Sequence, residues 1–138
     1  MRTLALDVGS KRIGVAMSDA LGLTAQGLTT LQRTSDETAL KLLDETVSAN
    51  QVDKIVVGLP LKLDGTDSEQ TVSVRRFCDK LRRRFRRRAE IITWDERLST
   101  TAAERSLIEA DLSRRKRRQV IDKMSAVYIL QGYLAAQG

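Results

Sequence analysis

The sequence predicts an α/β protein in which one mixed five-stranded sheet is flanked by helices. Three short β-prone segments open the chain, and two further strand segments follow, each preceded by an amphipathic helical segment. Consecutive strands can form an antiparallel meander, whereas strands joined through a helix can pair in parallel. No repeat or linker divides the chain, so we expect one domain over residues 1–138.

The first two strands form a hairpin around the Gly-Ser-Lys-Arg break at residues 9–12. Strand alternation puts Leu4 and Leu6 on one face of the first strand and Ala5 and Asp7 on the other. The Asp7 carboxylate is therefore expected over the surface of a sheet. An isolated Asp-x-Gly sequence is more typical of a surface turn, so the case for a functional Asp7 depends on residues further along the chain.

The next segments alternate between strand and helix. We expect strands at residues 24–31, 53–58 and 90–94, and helices that begin within residues 34–37 and 67–70. Apolar residues at spacings of three and four predict the buried stripe of each helix. These residues are Leu40, Leu43 and Val47 in the first helix and Val74, Phe77, Cys78, Leu81 and Phe85 in the second.

After the fifth strand the pattern is helical. Ser99 or Thr101, the latter with Glu104 three residues on, is expected to cap a helix. Residues 113–118 are expected to form a basic, mobile connection, and residues 120–136 the closing helix. The inward residues of that helix are predicted to be Ile121, Met124, Tyr128 and Leu134. The predicted order is β-β-β-α-β-α-β-α, where the last symbol covers the helical sequence after the fifth strand.

Composition limits the possible functions. The formal net charge of +6 and the pI near 9.9 favour a polyanionic partner. A single cysteine, Cys78, excludes an intramolecular disulfide and fits a reducing cytoplasm. The absence of histidine excludes histidine-based catalytic triads and argues against a structural zinc site. No apolar run approaches the roughly 20 residues of a membrane span, so a membrane partner is not expected.

Three carboxylates suggest a metal site. Asp7 ends the first strand, Glu96 follows the last strand and Asp122 opens the closing helix. If the first strand is central, these side chains can converge, and a cation between them keeps them ionised. Oxygen ligands suit Mg²⁺ or Mn²⁺, and a pair of such ions can clamp the attacking and leaving oxygens of phosphodiester cleavage.

Basic residues offer binding sites for a nucleic-acid backbone. The candidates are Lys11, Arg12, Arg83, Arg87, Arg114, Arg115, Lys116, Arg117 and Arg118. Simpler explanations exist: Asp122 is favoured near a helix start, Glu96 can pair with Arg97 or Arg105, and residues 82–88 can be a solvated helix face. That last segment, however, holds six arginines and no acidic residue, which makes solubility alone the weaker explanation.

Four segments together resemble the YqgF/RuvX family. They are Leu-Asp-Val-Gly-Ser-Lys-Arg-Ile-Gly-Val-Ala at residues 6–16, Val-Gly-Leu-Pro-Leu-Lys-Leu-Asp-Gly-Thr at 57–66, Asp-Glu-Arg-Leu-Ser-Thr at 95–100 and Asp-Lys-Met-Ser-Ala at 122–126. The resemblance runs from Leu4 to about Leu134. It implies a ribonuclease H-like fold and a Holliday junction resolvase, or a nuclease that matures the small-subunit rRNA precursor. It also implies metal-binding catalytic roles for Asp7, Glu96 and Asp122, with Asp95 as a further candidate.

The leading hypothesis is therefore a Mg²⁺- or Mn²⁺-dependent endonuclease that acts on structured RNA or branched DNA. A non-catalytic, RNA-binding ribosome-assembly factor is one alternative. An actin-like nucleotide-binding protein is another, because the Asp-x-Gly-Ser hairpin resembles a phosphate-binding loop, but 138 residues leave no room for its second subdomain. The sequence leaves open the choice between RNA and DNA and between a monomer and a homodimer.

Overall fold

The computed structural model contains the predicted mixed sheet of five strands. It describes residues 1–98 and 114–137, with the backbone alone for Leu98 and residues 114–122. The strands are β1 (Arg2–Val8), β2 (Arg12–Ser18), β3 (Ala25–Gln32), β4 (Val52–Leu59) and β5 (Glu90–Asp95). Their order across the sheet is β3-β2-β1-β4-β5. The first three strands pair antiparallel, β4 pairs parallel with β1 and β5, and β1 is central, as predicted.

Three helices accompany the sheet in the described part of the chain: α1 (Asp36–Asn50), α2 (Glu69–Arg84) and α3 (Arg114–Gln137). The hydroxyls of Ser35 and Ser68 accept hydrogen bonds from backbone amides in the first turns of α1 and α2. These caps confirm the predicted helix starts. Within the described ranges, no helix is both long and apolar enough to cross a membrane.

The C-terminal region differs from the prediction. The helix expected to be capped by Ser99 or Thr101 lies outside the described residues. α3 begins at Arg114, so the basic segment expected to be a connection is the first part of a helix. Arginine and lysine are good helix formers, which allows a run of them to open a helix instead of interrupting it.

Hydrophobic layers cover both faces of the sheet. Leu4 and Leu6 belong to the layer under α1 and α2, whereas Ala5 belongs to the layer under α3, which confirms the predicted alternation. The stripes predicted for α1 and α2 are buried, and burial raises the pKa of the Cys78 thiol. This first layer contains Leu4, Leu6, Val8, Ile13, Val15, Ile55, Val57, Leu43, Phe77, Leu81 and Phe85.

The buried face of α3 matches the prediction only in part: Leu134 packs against the layer under α3, but the fully buried positions are different ones. The buried residues are Ser125, Ala126, Val127, Ile129, Leu130 and Tyr133, whereas Met124, Tyr128 and Leu134 are half-buried. The side chain of Ile121 is outside the described residues. Apolar residues occur around most of this helix, so periodicity allowed two neighbouring faces. The sheet decides between them, because its Ala5 and Ala16 leave room for α3 to pack closely.

The parallel strands define two edges of the sheet. The C-terminal ends of β1, β4 and β5 lie at one edge, here called the carboxyl edge, and their N-terminal ends lie at the opposite, amino edge. α2 connects the end of β4 to the start of β5. It therefore begins near the carboxyl edge and ends near the amino edge.

Candidate active site at the carboxyl edge

Asp7 lies near the carboxyl edge on the face covered by α3. It is half-buried and stands opposite Gly14 of β2. In the parallel ladder with β4, Leu6 stands beside Val57, so Asp7 is level with Gly58. Strand alternation gives Asp7 the same face as Ala5, which belongs to the layer under α3. The predicted place of Asp7 in the first strand is confirmed, and the same alternation gives its face.

Glu96 approaches Gly58 from the other side. It follows β5 as the first residue of a short 3-10 turn, Glu96–Leu98. A Cβ on Gly58 would lie 2.8 Å from Oε1 and 3.0 Å from Cγ of Glu96. The Glu96 side chain thus lies back over β4, in space that only a glycine leaves open, and Oε1 is buried. Ile129 of α3 closes the same space, with its Cδ1 2.5 Å from that Cβ position.

Asp7 and Glu96 are therefore brought to the same face and the same edge of the sheet. Asp7 is on β1, and the Glu96 carboxylate lies over the neighbouring strand β4. Neighbouring strands of a sheet are about 5 Å apart. Two hard oxygen donors, one from β1 and one from the turn after β5, are of the type that suits Mg²⁺ or Mn²⁺.

The third predicted ligand, Asp122, is in α3, but its side chain lies outside the described residues. Among the side chains that are described, no group of three or more His, Cys, Asp or Glu residues could hold a metal ion. Asp7 and Glu96 are the two members of the predicted three-residue set whose side chains are described.

Asp95 belongs to a different environment from Glu96. It stands beside Leu59, on the face covered by α1 and α2. Arg97 donates from Nε to both Asp95 carboxylate oxygens at 3.0 Å and from Nη2 to Oδ2 at 2.6 Å. These hydrogen bonds hold the pKa of Asp95 below its usual range. The Arg97 guanidinium therefore binds Asp95, and Arg105 lies outside the described residues.

Arg97 also fixes the loop between β4 and α2. Its Nη1 donates to the carbonyl of Leu63 at 3.1 Å. At the other end of the loop, the buried Thr71 hydroxyl donates to the carbonyl of Pro60 at 2.8 Å. Two motif segments far apart in sequence, residues 57–66 and 95–100, are thus joined through Arg97. The sequence assigned no role to any one residue of this loop, whereas the structure identifies Gly58 as the residue that admits Glu96.

The β1–β2 turn completes the edge. Its Gly9 amide donates to the carbonyl of Arg12 at 2.8 Å, and a Cβ on Gly9 would lie 2.8 Å from that same oxygen. Arg33 supports the turn from α1's side, donating from Nη1 to the carbonyl of Gly9 at 2.8 Å and from Nε to Asp36 at 2.8 Å. Sequence analysis missed Arg33, because the contact with Gly9 spans 24 residues and leaves no local signal.

The predicted nucleic-acid-binding residues fall in different places. Lys11 is exposed and Arg12 half-buried in the turn at the carboxyl edge. Arg83 and Arg87 are exposed near the C-terminal end of α2, at the amino edge. The backbone of Arg114, Arg115, Lys116, Arg117 and Arg118 forms the start of α3, and their side chains are outside the described residues.

A mixed sheet in this order, with helices on both faces, is a ribonuclease H-like fold. Two solved structures share the fold. Thermus thermophilus RuvC in complex with a Holliday junction substrate has a TM-score of 0.62 at 9% identity, covering 100% of this chain and 97% of that one. The fowlpox virus Holliday junction resolvase has a TM-score of 0.59 at 12% identity, covering 100% of both chains.

The family follows from closer relatives. A family model described as "RuvX: Holliday junction resolvase" matches residues 1–136. A Clostridium tetani protein named "Putative pre-16S rRNA nuclease" is 50% identical over 134 residues, 97% of this chain and 96% of that protein. A Myxococcus xanthus protein of the same name is 51% identical over 136 residues, 99% of this chain and 89% of that protein. The chain belongs to the RuvX family, as its four motifs predicted.

Proposed function

We propose that this protein is a divalent-metal-dependent endonuclease that hydrolyses phosphodiester bonds in structured nucleic acid. Its substrate is the precursor of 16S rRNA, cut during maturation of the 5′ end, with the Holliday junction as the alternative. The observation that carries the proposal is the Glu96 carboxylate held over Gly58, on the face and at the edge where Asp7 lies. The names of the curated relatives favour the RNA, and the description of the family model supplies the junction.

In this proposal, Asp7, Glu96 and Asp122 hold Mg²⁺ or Mn²⁺. The bound metal supplies Lewis-acid stabilisation of the phosphate charge and lowers the pKa of water. Oε1 of Glu96 is buried. A buried carboxylate charge is shielded from water, so a neighbouring cation would stabilise it. Asp7 is half-buried and so remains accessible to a substrate phosphate. No nucleophilic side chain is required.

The basic residues of the carboxyl edge hold the substrate. Lys11 is exposed in the turn that follows Asp7, and Arg12 begins the next strand. Arg114, Arg115, Lys116, Arg117 and Arg118, whose backbone opens α3, are proposed as further contacts to the phosphate backbone. The match to the family over residues 1–136 supports one nuclease domain over residues 1–138, and an rRNA precursor substrate implies a cytoplasmic protein.

A cleavage assay tests the proposal. Purified wild type and the variants Asp7→Asn, Glu96→Gln and Asp122→Asn are incubated with pre-16S rRNA or a four-way DNA junction, with Mg²⁺, Mn²⁺ or EDTA. We expect metal-dependent cleavage of the RNA that each variant loses. Binding in a mobility-shift assay should be retained or become tighter, because removing a carboxylate removes repulsion of the phosphates.

Asp79→Asn is the matched control, because Asp79 is an exposed carboxylate on α2 whose partner is Arg82. It should cleave like wild type. If only the four-way junction is cleaved, the substrate is branched DNA and not the rRNA precursor. Cleavage that survives in all three site variants would refute the assignment of the site, and binding without cleavage would support the assembly-factor alternative.

A further inference from the structure

The arginines on α2 and in the turn after it form two groups. Arg84 and Arg88 are both ion-paired to Asp44 of α1, at 2.9 and 2.8 Å. The Arg88 guanidinium also lies over the Phe85 ring, 5.0 Å from its centre. Arg75 and Arg82 are paired with Asp67 and Asp79. Ion pairs within the protein explain why arginines occupy the positions of this first group, because each member binds a carboxylate of the protein itself.

The second group consists of Arg76, Arg83, Arg86 and Arg87, here called the basic stripe. All four are exposed, and none has an ion-pair partner among the described residues. Arg76 and Arg83 are seven residues apart, two turns of helix, and therefore share a face of α2. Arg86 and Arg87 continue beyond the end of the helix. The basic stripe therefore runs from the middle of α2 to the amino edge of the sheet.

Arg87 has an unusual backbone conformation for its residue type. Its φ angle is 69°, in the left-handed region where glycine and asparagine are the residues usually found after a helix. The turn geometry therefore does not explain why an arginine occupies this position. A role for the exposed guanidinium does explain it, since the side chain has no ion-pair partner in the described part of the chain.

The two ends of α2 set a distance. Its 16 residues span about 24 Å at 1.5 Å per residue, from the loop at the carboxyl edge to the amino edge. That length corresponds to about seven base pairs of a B-form double helix at 3.4 Å per step. A nucleic acid held at Asp7 and Glu96, on the face covered by α3, would have to pass the carboxyl edge and then extend that far along α2, on the opposite face, to reach Arg86 and Arg87.

We propose that the basic stripe binds the phosphate backbone of a double-helical arm of the same nucleic acid that is cut at the carboxyl edge. The inference rests on the proposed nuclease function and adds a substrate requirement to it: at least about seven base pairs of duplex beyond the cleaved bond. The paired arginines are excluded from this role, because Asp44, Asp67 and Asp79 already occupy their guanidinium groups.

Binding in EDTA tests the inference without any need for cleavage. Wild type, Arg83→Gln/Arg87→Gly and Arg84→Gln/Arg88→Gln are titrated onto labelled RNA and DNA duplexes of about 6 and about 16 base pairs. On the long duplex, Arg83→Gln/Arg87→Gly should lower the salt slope of the affinity by about two, one for each lost phosphate contact. Raising salt fourfold would then weaken wild type about 12-fold more than this variant. The short duplex should bind wild type with a smaller salt slope than the long one, because it cannot contact the carboxyl edge and the basic stripe together.

Thermal unfolding separates binding from folding. Arg83→Gln/Arg87→Gly should melt at or above the wild-type temperature, because glycine is favoured at the Arg87 backbone conformation. Arg84→Gln/Arg88→Gln should melt lower and keep a salt slope closer to that of wild type. If Arg83→Gln/Arg87→Gly proves unstable, Arg83→Gln/Arg86→Gln carries the same binding test with no change at the strained position.

An unchanged salt slope on the long duplex would overturn the inference and leave the basic stripe to a protein partner. Equal wild-type salt slopes on the two duplexes would overturn its distance requirement. Failure of the nuclease assay would leave the EDTA binding result intact, so the two proposals can fail separately.

Discussion

Replacing Gly58 by alanine tests whether the glycine is what holds Glu96 in place. The new Cβ would stand 2.5 Å from Cδ1 of Ile129 and 2.8 Å from Oε1 of Glu96. Non-bonded carbons rest at about 3.5–4.0 Å, so the Ile129 methyl group must move by about 1 Å. Ile129 is fully buried, and the layer around it leaves little freedom. Overpacking of this kind costs about 1–3 kcal/mol of unfolding free energy.

The displacement of Glu96 should affect activity more than stability. A misplacement of about 1 Å in a catalytic group can reduce the rate by about 10²-fold. We therefore expect Gly58→Ala to lower the melting temperature by about 3–12 °C and the cleavage rate by about 10²-fold. Calorimetry or dye-based melting measures the first effect, and single-turnover cleavage well below the melting transition measures the second.

Gly27→Ala provides the matched control under the same helix. Its Cβ would meet Lys123 at 3.4 Å and Val127 at 3.7 Å, which are ordinary contact distances. It should retain wild-type cleavage. If Gly58→Ala were stable and fully active, Glu96 could not depend on the space over Gly58, and our account of the site would be wrong.

Two further predictions concern ion pairs. Arg88 donates hydrogen bonds to Asp44 and holds the pKa of this carboxyl well below its usual value of 3.8. The ion pair therefore stabilises the folded protein fully above pH 3.8, and this stabilisation is lost as the pH falls through the lowered pKa. Asp44→Asn should cost about 1 kcal/mol near neutral pH and less in acid, and denaturant unfolding that gives equal losses at both would contradict this. Asp95→Asn weakens the contact with Arg97, which also binds the carbonyl of Leu63. We therefore expect faster amide hydrogen exchange in residues 60–68 and a cleavage rate reduced by less than about tenfold. A loss as complete as that of Glu96→Gln would instead identify Asp95 as a ligand.

Local physical chemistry explains what the sequence determined. Strand alternation separated Leu4 and Leu6 from Ala5 and Asp7, because side-chain direction reverses at every residue of a strand. Ser35 and Ser68 marked helix starts, because a capping hydroxyl satisfies amides only a few residues away. The four motifs then indicated the family, and the comparisons confirmed it.

Other features depend on contacts between distant residues and could not be predicted. Asp95 and Glu96 are adjacent in sequence, yet Arg97 holds one while the other lies over Gly58, and only the packed strand ends distinguish them. The face of α3 that is buried was decided by the small residues of the sheet beneath it.

The arginines of residues 82–88 show the same limit. In the sequence they form one uniform basic run. In the structure, Asp44 binds Arg84 and Arg88 from another helix, whereas Arg83 and Arg87 remain exposed. The sequence alone determined the five strands, the starts of α1 and α2 and the types of residue available for the site. The tertiary structure decided that Glu96, and not Asp95, lies on the same face and at the same edge of the sheet as Asp7. It also decided which arginines remain available to a ligand. Both outcomes depend on partners that only folding brings within a few ångströms.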